Sequence, residues 1–316
     1  MQRILEPGEI QTLDHSAIPR IRLPQRGELF ASRAQRLRAL ATDSHPIGDY
    51  LRLMADLAQA QHDTLAHFAA RPVDPQSIAR AQQHSMPILP VRTTERDPAW
   101  REVLESLLAH LEAKHEANRE LAPPLAATFA RLRALDERAL EHEADTLLAA
   151  RGDELDNACA PFIAAALQVV WTDLASRLTP DQVPYLDTVG LCPVCGSHPV
   201  ASVVRIGGAY EGYRFVACGI CGTESHVVRV KCTHCDSTRG VAYLAIGGQP
   251  DWVKAESCEA CHTYRKIFYQ AKQFEVEPFA DDLASLTLDL LMNEAGYRRP
   301  APHPFLWPAT GQEDEA

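Results

Sequence analysis

The sequence predicts an α+β fold, in which an N-terminal helical bundle is followed by two tandem four-cysteine modules and a C-terminal helix. Residues 28–178 are rich in alanine and leucine at helical spacing and nearly free of glycine. Eight of the nine cysteines lie between residues 192 and 261, where glycines and β-branched residues become frequent. A leucine-rich segment follows the last cysteine. These three observations set the order of the predicted domains.

Residues 1–27 are predicted to be an irregular arm, and residues 28–183 a helical domain. Asp97 is expected to cap a helix in which Pro98 takes the first position. The segment PFIAAALQVVWTDLASRL, which starts at Pro161, is apolar on almost all sides and predicts a central, buried helix. Helices joined by short connections predict a packed bundle.

Residues 184–225 and 226–270 are predicted to be two copies of one module. The cysteines are Cys192, Cys195, Cys218 and Cys221 in the first copy and Cys232, Cys235, Cys258 and Cys261 in the second. Each cysteine of the first copy recurs 40 residues later, as do Ser197 and the Ile-Gly-Gly turn at residues 206–208. A chance cluster of cysteines would not keep this register, so the pattern indicates an internal duplication.

Each Cys-x-x-Cys pair predicts a tight turn that points two thiolates at one metal ion. Two such turns, brought together by a β-hairpin, complete a tetrahedral site of four sulfurs. A module of about 30 residues is too small to form a stable core alone, and a structural zinc ion contributes about 10–16 kcal/mol in comparable units. We therefore expect all eight cysteines to bind metal. Free thiols or reversible disulfides are the alternative, although disulfides are rare in the reducing cytosol.

Two arrangements of the four turns are compatible with the spacing. In the first arrangement each copy closes its own site from consecutive turns, as the duplication favours. In the second arrangement the first turn pairs with the third, and neither copy is self-sufficient. Four histidines lie nearby and are expected to stay outside the coordination, because four thiolates already close each site. They are His198, His226, His234 and His262.

The ligands alone do not distinguish iron from zinc, because tetrahedral sulfur sites accept both metals. In the first copy a glycine follows Cys195 and Cys221, which is the rubredoxin-like form, and glycine adopts the left-handed backbone without penalty. Asp236 and His262 take these positions in the second copy. The sequence thus predicts two rubredoxin-like (zinc-ribbon-like) modules and leaves the metal open between iron and zinc, with zinc favoured more at the second site than at the first.

Composition and charge argue against several classes of partner. The chain has 316 residues and a net charge of −11, which disfavours general attraction to nucleic acid or anionic membranes. Between Cys192 and His262 the sequence has six Lys/Arg and six Asp/Glu, so the surplus of basic residues that phosphate binding requires is missing. The sequence has no run of about 18 apolar residues, which a membrane-spanning helix requires. The amino terminus also lacks the apolar core of a secretion signal. We expect a cytoplasmic protein that does not bind nucleic acid.

Three classes of function remain for the metal modules. A closed site with four thiolates leaves no open position for a substrate, and the sequence contains no Gly-rich phosphate loop, nucleophile elbow or H-E-x-x-H motif. An electron carrier needs a metal that changes oxidation state, and the helical domain is larger than electron transfer requires. A non-enzymatic protein that presents a folded surface to another polypeptide fits best.

Residues 271–316 are predicted to form a C-terminal helix and an acidic tail. The helix is expected to begin near Asp281 and to end at Gly296. In the segment PHPFLWP, Phe305 and Trp307 are expected to pack on the protein's own core. An exposed surface for a partner is the alternative.

Four stretches resemble the formate dehydrogenase accessory protein FdhE family over about residues 187–308. They are DTVGLCPVCGSHPVASVV, FVACGICGTESHVVRVKCTHC, KAESCEACHTYRKIF and VEPFADDLASLTLDLLMNEAGYRRPAPHPFLWP. The resemblance implies a non-enzymatic maturation factor that binds the immature catalytic subunit of respiratory formate dehydrogenase in the cytoplasm. It also implies that the eight cysteines hold iron in two mononuclear sites, with zinc as the alternative, especially at the second site. A rubredoxin-like electron carrier or redox factor acting on the dehydrogenase active site is the alternative.

Overall fold

The computed structural model describes residues 18–92, 96–117, 122–248 and 250–307. These residues form nine α-helices and seven β-strands, which confirms the predicted α+β class. The helices are α1 (Leu29–Leu40), α2 (Gly48–His67), α3 (Pro75–Gln83), α4 (Trp100–Ala117), α5 (Pro123–Ala134), α6 (Glu137–Leu148), α7 (Ala160–Ser176), α8 (Pro278–Ala284) and α9 (Leu286–Glu294). The strands are β1 (Ile21–Arg22), β2 (Pro199–Val204), β3 (Arg214–Cys218), β4 (Glu224–His226), β5 (Val241–Leu244), β6 (Val253–Cys258) and β7 (Thr263–Tyr269). No helix in these ranges is both long and apolar enough to cross a membrane.

Helix α7 is the centre of the helical domain, as its sequence predicts. All of its residues except Leu174 and Ser176 are buried, and it packs against α2, α4 and α6. The predicted start of α4 is two residues early. The Asp97 carboxylate accepts a hydrogen bond from Ala99 N at 3.1 Å, and Pro98 lies in a turn before the helix begins at Trp100.

The two modules share one sheet, which has the strand order β1–β4–β3–β2–β7–β6–β5. All neighbouring strands are antiparallel except β2 and β7, which pair in parallel from Ser202 with Ile267 to Val204 with Tyr269. Of the predicted arm, residues 1–17 lie outside the described ranges, whereas β1 extends the sheet beside β4. The central strands β2 and β7 are almost wholly buried, which explains their runs of β-branched and aromatic residues.

Two short helices replace the single C-terminal helix that the sequence predicts. The Glu277 side chain caps α8 by accepting a hydrogen bond from Ala280 N at 2.7 Å, so the helix begins at Pro278 rather than near Asp281. Ser285 then separates α8 from α9, and its hydroxyl donates to the Asp281 carbonyl at 2.7 Å. A serine hydroxyl that takes a helix carbonyl competes with the helical hydrogen bond, which accounts for the break.

Buried ion pairs fix α8 to the helical domain. The Arg36 guanidinium binds Asp281 through both carboxylate oxygens, with Nη2 2.7 Å from Oδ1 and Nε 3.1 Å from Oδ2. Arg33 contacts Glu277 at 3.3 Å. A two-point pair between guanidinium and carboxylate fixes orientation as well as distance. The α1–α8 contact therefore has a defined register.

A second buried charge cluster joins α8 and α9 to the sheet. Its members are Lys266 on β7, Asp282 on α8, Asp289 on α9 and Arg299 beyond α9. The Lys266 ammonium lies 3.1 Å from Asp282 and 2.6 Å from Asp289, and Arg299 contacts the same two carboxylates at 2.6 and 3.1 Å. Two positive and two negative groups balance, which is the condition under which such charges remain ionised in a core.

The segment from Pro302 to Trp307 folds back onto the protein, as expected. Phe305 is fully buried and meets the Phe279 ring edge to face at 4.8 Å between centroids. Trp307 is also buried, and its indole N–H donates to the Pro304 carbonyl at 3.1 Å. Their burial is incompatible with the alternative of an exposed surface. Pro308 lies outside the described residues.

Buried His303 predicts a loss of stability in acid. Its Nδ1 accepts from Phe305 N and its Nε2 donates to the Phe279 carbonyl, both at 3.1 Å, which requires the neutral ring. Burial lowers the pKa of His303 to about 3, although the negative charge of Asp282 acts in the opposite direction and raises it. The unfolded chain takes up this proton below about pH 6.5, so the folded state loses stability as the pH falls from there towards 3.

We expect this histidine alone to lower the free energy of unfolding by about 2 kcal/mol between pH 7 and pH 5. Urea denaturation of the wild type and of His303→Gln at both pH values checks the prediction. The difference between the two proteins removes the contribution of acid-labile metal sites. An equal pH dependence in both proteins would assign the acid sensitivity to other groups.

Candidate metal centres

The structure brings each copy's own four thiols together. In the first cluster Cys192 and Cys221 have their Sγ atoms 3.5 Å apart, and those of Cys195 and Cys218 are 3.3 Å apart. Within each cluster all four Sγ atoms lie within 4.8 Å of one another. This is the arrangement of consecutive turns that the duplication favours, and the interleaved alternative is not what the fold shows.

The second cluster repeats this geometry with slightly longer separations. The Sγ atoms of Cys232 and Cys261 are 3.7 Å apart, as are those of Cys235 and Cys258. A tetrahedral ion with metal–sulfur bonds of about 2.3 Å requires sulfurs about 3.8 Å apart, whereas a disulfide requires about 2 Å. None of the nine cysteines forms a disulfide. The donor set and its spacing thus fit one ion per cluster.

The left-handed turn after the second cysteine is present in all four Cys-x-x-Cys motifs. The backbone φ is +75° at Gly196 and +72° at Gly222, and it is +65° at Asp236 and +53° at His262. Glycine reaches this region freely, whereas a residue with a Cβ is strained there by about 1 kcal/mol or more. The second cluster therefore keeps the turn of the first at an energetic cost.

Two threonines that sequence reasoning missed contact the sulfurs. The Thr223 hydroxyl oxygen lies 3.2 Å from Sγ of Cys221, and that of Thr263 lies 3.0 Å from Sγ of Cys261. These threonines are themselves 40 residues apart, so the repeat offset carried the signal. Backbone N–H groups add contacts at 3.4 Å, from Ile220 to Cys218 and from His234 to Cys232. The two backbone N–H donors stabilise thiolates and orient them.

Burial raises the pKa of Cys192 well above its usual range, and the neighbouring sulfurs raise it further. A thiolate in this place would be shielded from water and would lie beside three other sulfur atoms. A divalent cation reverses this preference, because it pairs with all four thiolates and favours their deprotonation. Metal binding would therefore convert the thiols of the first cluster into thiolates.

The first cluster lies inside the main core of the protein. Its four cysteines are at most 3% exposed and belong to the same apolar cluster as the helical domain. Backbone hydrogen bonds connect Leu89 N to the Val194 carbonyl at 2.8 Å and Val91 N to the Cys195 carbonyl at 3.0 Å. On the opposite side, the Gln168 amide of α7 donates to the Gly219 carbonyl at 2.7 Å. The helical domain is thus hydrogen-bonded to both Cys-x-x-Cys turns of this site.

The second cluster lies at the periphery. Cys235 is exposed and Cys261 half-buried, whereas Cys232 and Cys258 are buried. No residue of this cluster belongs to the main core. The duplicated modules therefore have one buried and one accessible site, although their cysteines have the same spacing in the sequence.

The four histidines are placed outside both clusters, which consist of cysteines alone among the described residues. His198 and His234 approach each other, with ring centroids 6.2 Å apart, and the His198 ring contacts the Gly190 carbonyl through Nδ1 at 3.1 Å. His226 packs on Phe215, and His262 on Tyr297. In this arrangement the ligands of both sites are sulfur atoms alone among the described residues.

Buried arginines occupy the space between the modules. Arg214 on β3 contacts Glu256 on β6 at 2.7 Å, and Arg265 on β7 donates to the hydroxyl of Thr233, next to Cys232, at 3.0 Å. Arg265 and Glu256 are cross-strand partners in the β6–β7 register.

The comparisons with known proteins cover nearly the whole chain. Family models described as FdhE match its N-terminal domain at residues 18–187, its central domain at residues 191–229 and its C-terminal domain at residues 230–306. A Protein FdhE homolog of Cronobacter sakazakii is 38% identical over 314 residues, which cover 98% of this chain and 99% of that protein. The homolog of Citrobacter koseri is 39% identical over 309 residues, covering 98% and 97%.

A solved structure agrees with these matches. The crystal structure of the FdhE protein from Pseudomonas aeruginosa is similar to this fold with a TM-score of 0.81 at 37% sequence identity. The match covers 93% of this chain and 100% of that chain, so it includes the helical half as well as the cysteine modules. On the agreement of three domain models, near-full-length relatives and this fold, the chain belongs to the FdhE family.

Proposed function

We propose that this protein is a non-enzymatic maturation factor that binds the immature catalytic subunit of respiratory formate dehydrogenase in the cytoplasm. Family membership supports an accessory role for formate dehydrogenase in general. The proposal adds the partner, the compartment and the means of contact, which is a surface made rigid by metal ions in the two cysteine clusters.

The observation that carries this proposal is the complete set of four thiols in each cluster. Four protein ligands close a tetrahedral site, whereas catalytic metal sites keep a position open for water or substrate. The ligands would be the eight cysteines from Cys192 to Cys261, with iron as the expected ion and zinc as the alternative. An ion there supplies cross-links between short hairpins that a module of this size lacks.

Co-purification tests the proposal directly. A tagged chain produced together with the dehydrogenase catalytic subunit is expected to retain that subunit, and Cys258→Ser is expected to retain at least about tenfold less. Cys159→Ser is the matched control, because Cys159 is buried but belongs to neither cluster. Failure of the folded, metal-loaded wild type to retain the subunit would contradict the proposed partner. Equal retention by Cys258→Ser would remove the second module from the contact surface.

A redox role is the second candidate, and the exposure of Cys235 favours it. Electron transfer requires a donor or acceptor to approach the site closely, which the second cluster permits and the first does not. Iron can change oxidation state, whereas zinc cannot. Protein loaded with zinc in place of iron therefore separates the two functions. Full support of dehydrogenase maturation by the zinc form would contradict the redox role.

A further inference from the structure

We propose that the two clusters have different tasks: the first holds its ion permanently, and the second exchanges its ion with external thiolate ligands through Cys235. The inference rests on the metal loading that the proposed function requires. Two sites that arose by duplication would be expected to behave alike, whereas we infer that these two differ in how readily they exchange their ion.

The first argument is access. Ligand exchange at a closed four-sulfur site requires an incoming group to reach the ion while one thiolate departs. In the first cluster no cysteine is more than 3% exposed, and bonds from Leu89, Val91 and Gln168 hold the turns against the helical domain. In the second cluster Cys235 is exposed and Cys261 half-buried, and neither belongs to the main core.

The second argument is backbone strain. The two accessible cysteines are each followed by a non-glycine residue in the left-handed region, Asp236 after Cys235 and His262 after Cys261. Their counterparts in the first cluster are Gly196 and Gly222, which are unstrained at similar φ values. Departure of Cys235 lets the turn relax and releases this strain. The same departure in the first cluster would release none.

The exchange is a substitution without electron transfer. The incoming thiolate forms a bond to the ion as the bond from Cys235 Sγ breaks, and Cys235 takes up the proton that the incoming thiol has lost. The number of sulfur ligands stays the same throughout. A second substitution at Cys261, also accessible, weakens the remaining attachment. The co-reactant is therefore any thiol that can approach this face, whether a small molecule or a protein cysteine.

The test uses the full-length protein loaded with zinc at both clusters. It is mixed with a colorimetric zinc chelator in the presence and absence of glutathione. We expect two phases of equal amplitude, one zinc ion each, with the first at least about tenfold faster and accelerated by glutathione. Pulsed alkylation with iodoacetamide, mapped by mass spectrometry, is expected to label Cys235 and Cys261 during the fast phase and the first cluster only during the slow phase.

A variant isolates the contribution of strain. Asp236→Gly with His262→Gly gives the second cluster the turns of the first and is expected to slow the fast phase by a factor of roughly 10, without changing the slow phase. An effect on the slow phase instead would contradict the assignment.

Two further outcomes overturn the inference. They are the release of both ions in a single phase and the alkylation of Cys195, the counterpart of Cys235, before the second cluster. Purified wild type without metal in either cluster would overturn the proposed function as well. Two ions released together would leave that function intact and overturn this inference alone.

Discussion

Cys218→Ser is expected to destabilise the entire protein, including the helical domain. Serine is a poor metal ligand near neutral pH, so the first cluster would lose a large part of the roughly 10–16 kcal/mol that a structural ion contributes. The damage extends beyond the module, because the neighbouring Gly219 carbonyl accepts from Gln168 in α7 and the other turn is bonded to Leu89 and Val91. We expect the melting temperature to fall by about 10 °C or more.

Thermal melts followed by far-ultraviolet circular dichroism, together with metal content, measure this effect. Two variants are matched to it. Cys159→Ser changes another buried cysteine outside the clusters and is expected to cost only about 1–2 kcal/mol. Cys258→Ser changes the equivalent position in the peripheral cluster and should leave the helical signal largely intact. If Cys218→Ser and Cys159→Ser had the same melting temperature, the first site would not support the core.

Lys266→Met is expected to cost about 3–5 kcal/mol, because it leaves an unbalanced charge in the core. Lys266 is 1% exposed and faces Asp282 and Asp289, which it shares with Arg299. Without the ammonium, two buried carboxylates would compete for one guanidinium. Because these ion pairs join α8 and α9 to the sheet, the attachment of both helices would weaken.

Urea denaturation measures this second effect. Lys272→Met is the control, since Lys272 and its partner Asp251 are exposed and such pairs contribute at most about 1 kcal/mol. The double change Lys266→Met with Asp289→Asn restores the charge balance and should recover part of the loss. Similar denaturation midpoints for Lys266→Met and Lys272→Met would contradict the role of the buried cluster.

Local patterns in the sequence were sufficient to predict the class of the fold and the position of the candidate site. The offset of 40 residues grouped the cysteines, and the apolar run after Pro161 predicted the central helix. Both signals arise from short-range geometry: the spacing of donors around one ion and the periodicity of one buried helix. The domain boundaries assigned from composition remain predictions.

Long-range contacts were beyond these patterns. Arg214 and Lys266 are buried and paired with carboxylates on elements distant in sequence, which no local pattern indicates. The break at Ser285 depends on a hydroxyl that turns back to its own helix, a choice that side-chain identity alone does not dictate. The contrast in exposure between the two clusters depends on which module the helical domain covers.

The parallel pairing of β2 with β7 has a consequence for biosynthesis. Strand β2 is made about 60 residues before β7, so the growing chain carries one side of β2 without its partner until residues 263–269 have left the ribosome. An open strand edge of buried, β-branched residues is prone to pair with other chains. A message truncated before β7 would therefore give an aggregating product. Completion of the second repeat protects the first from aggregation, because β7 then covers the open edge of β2.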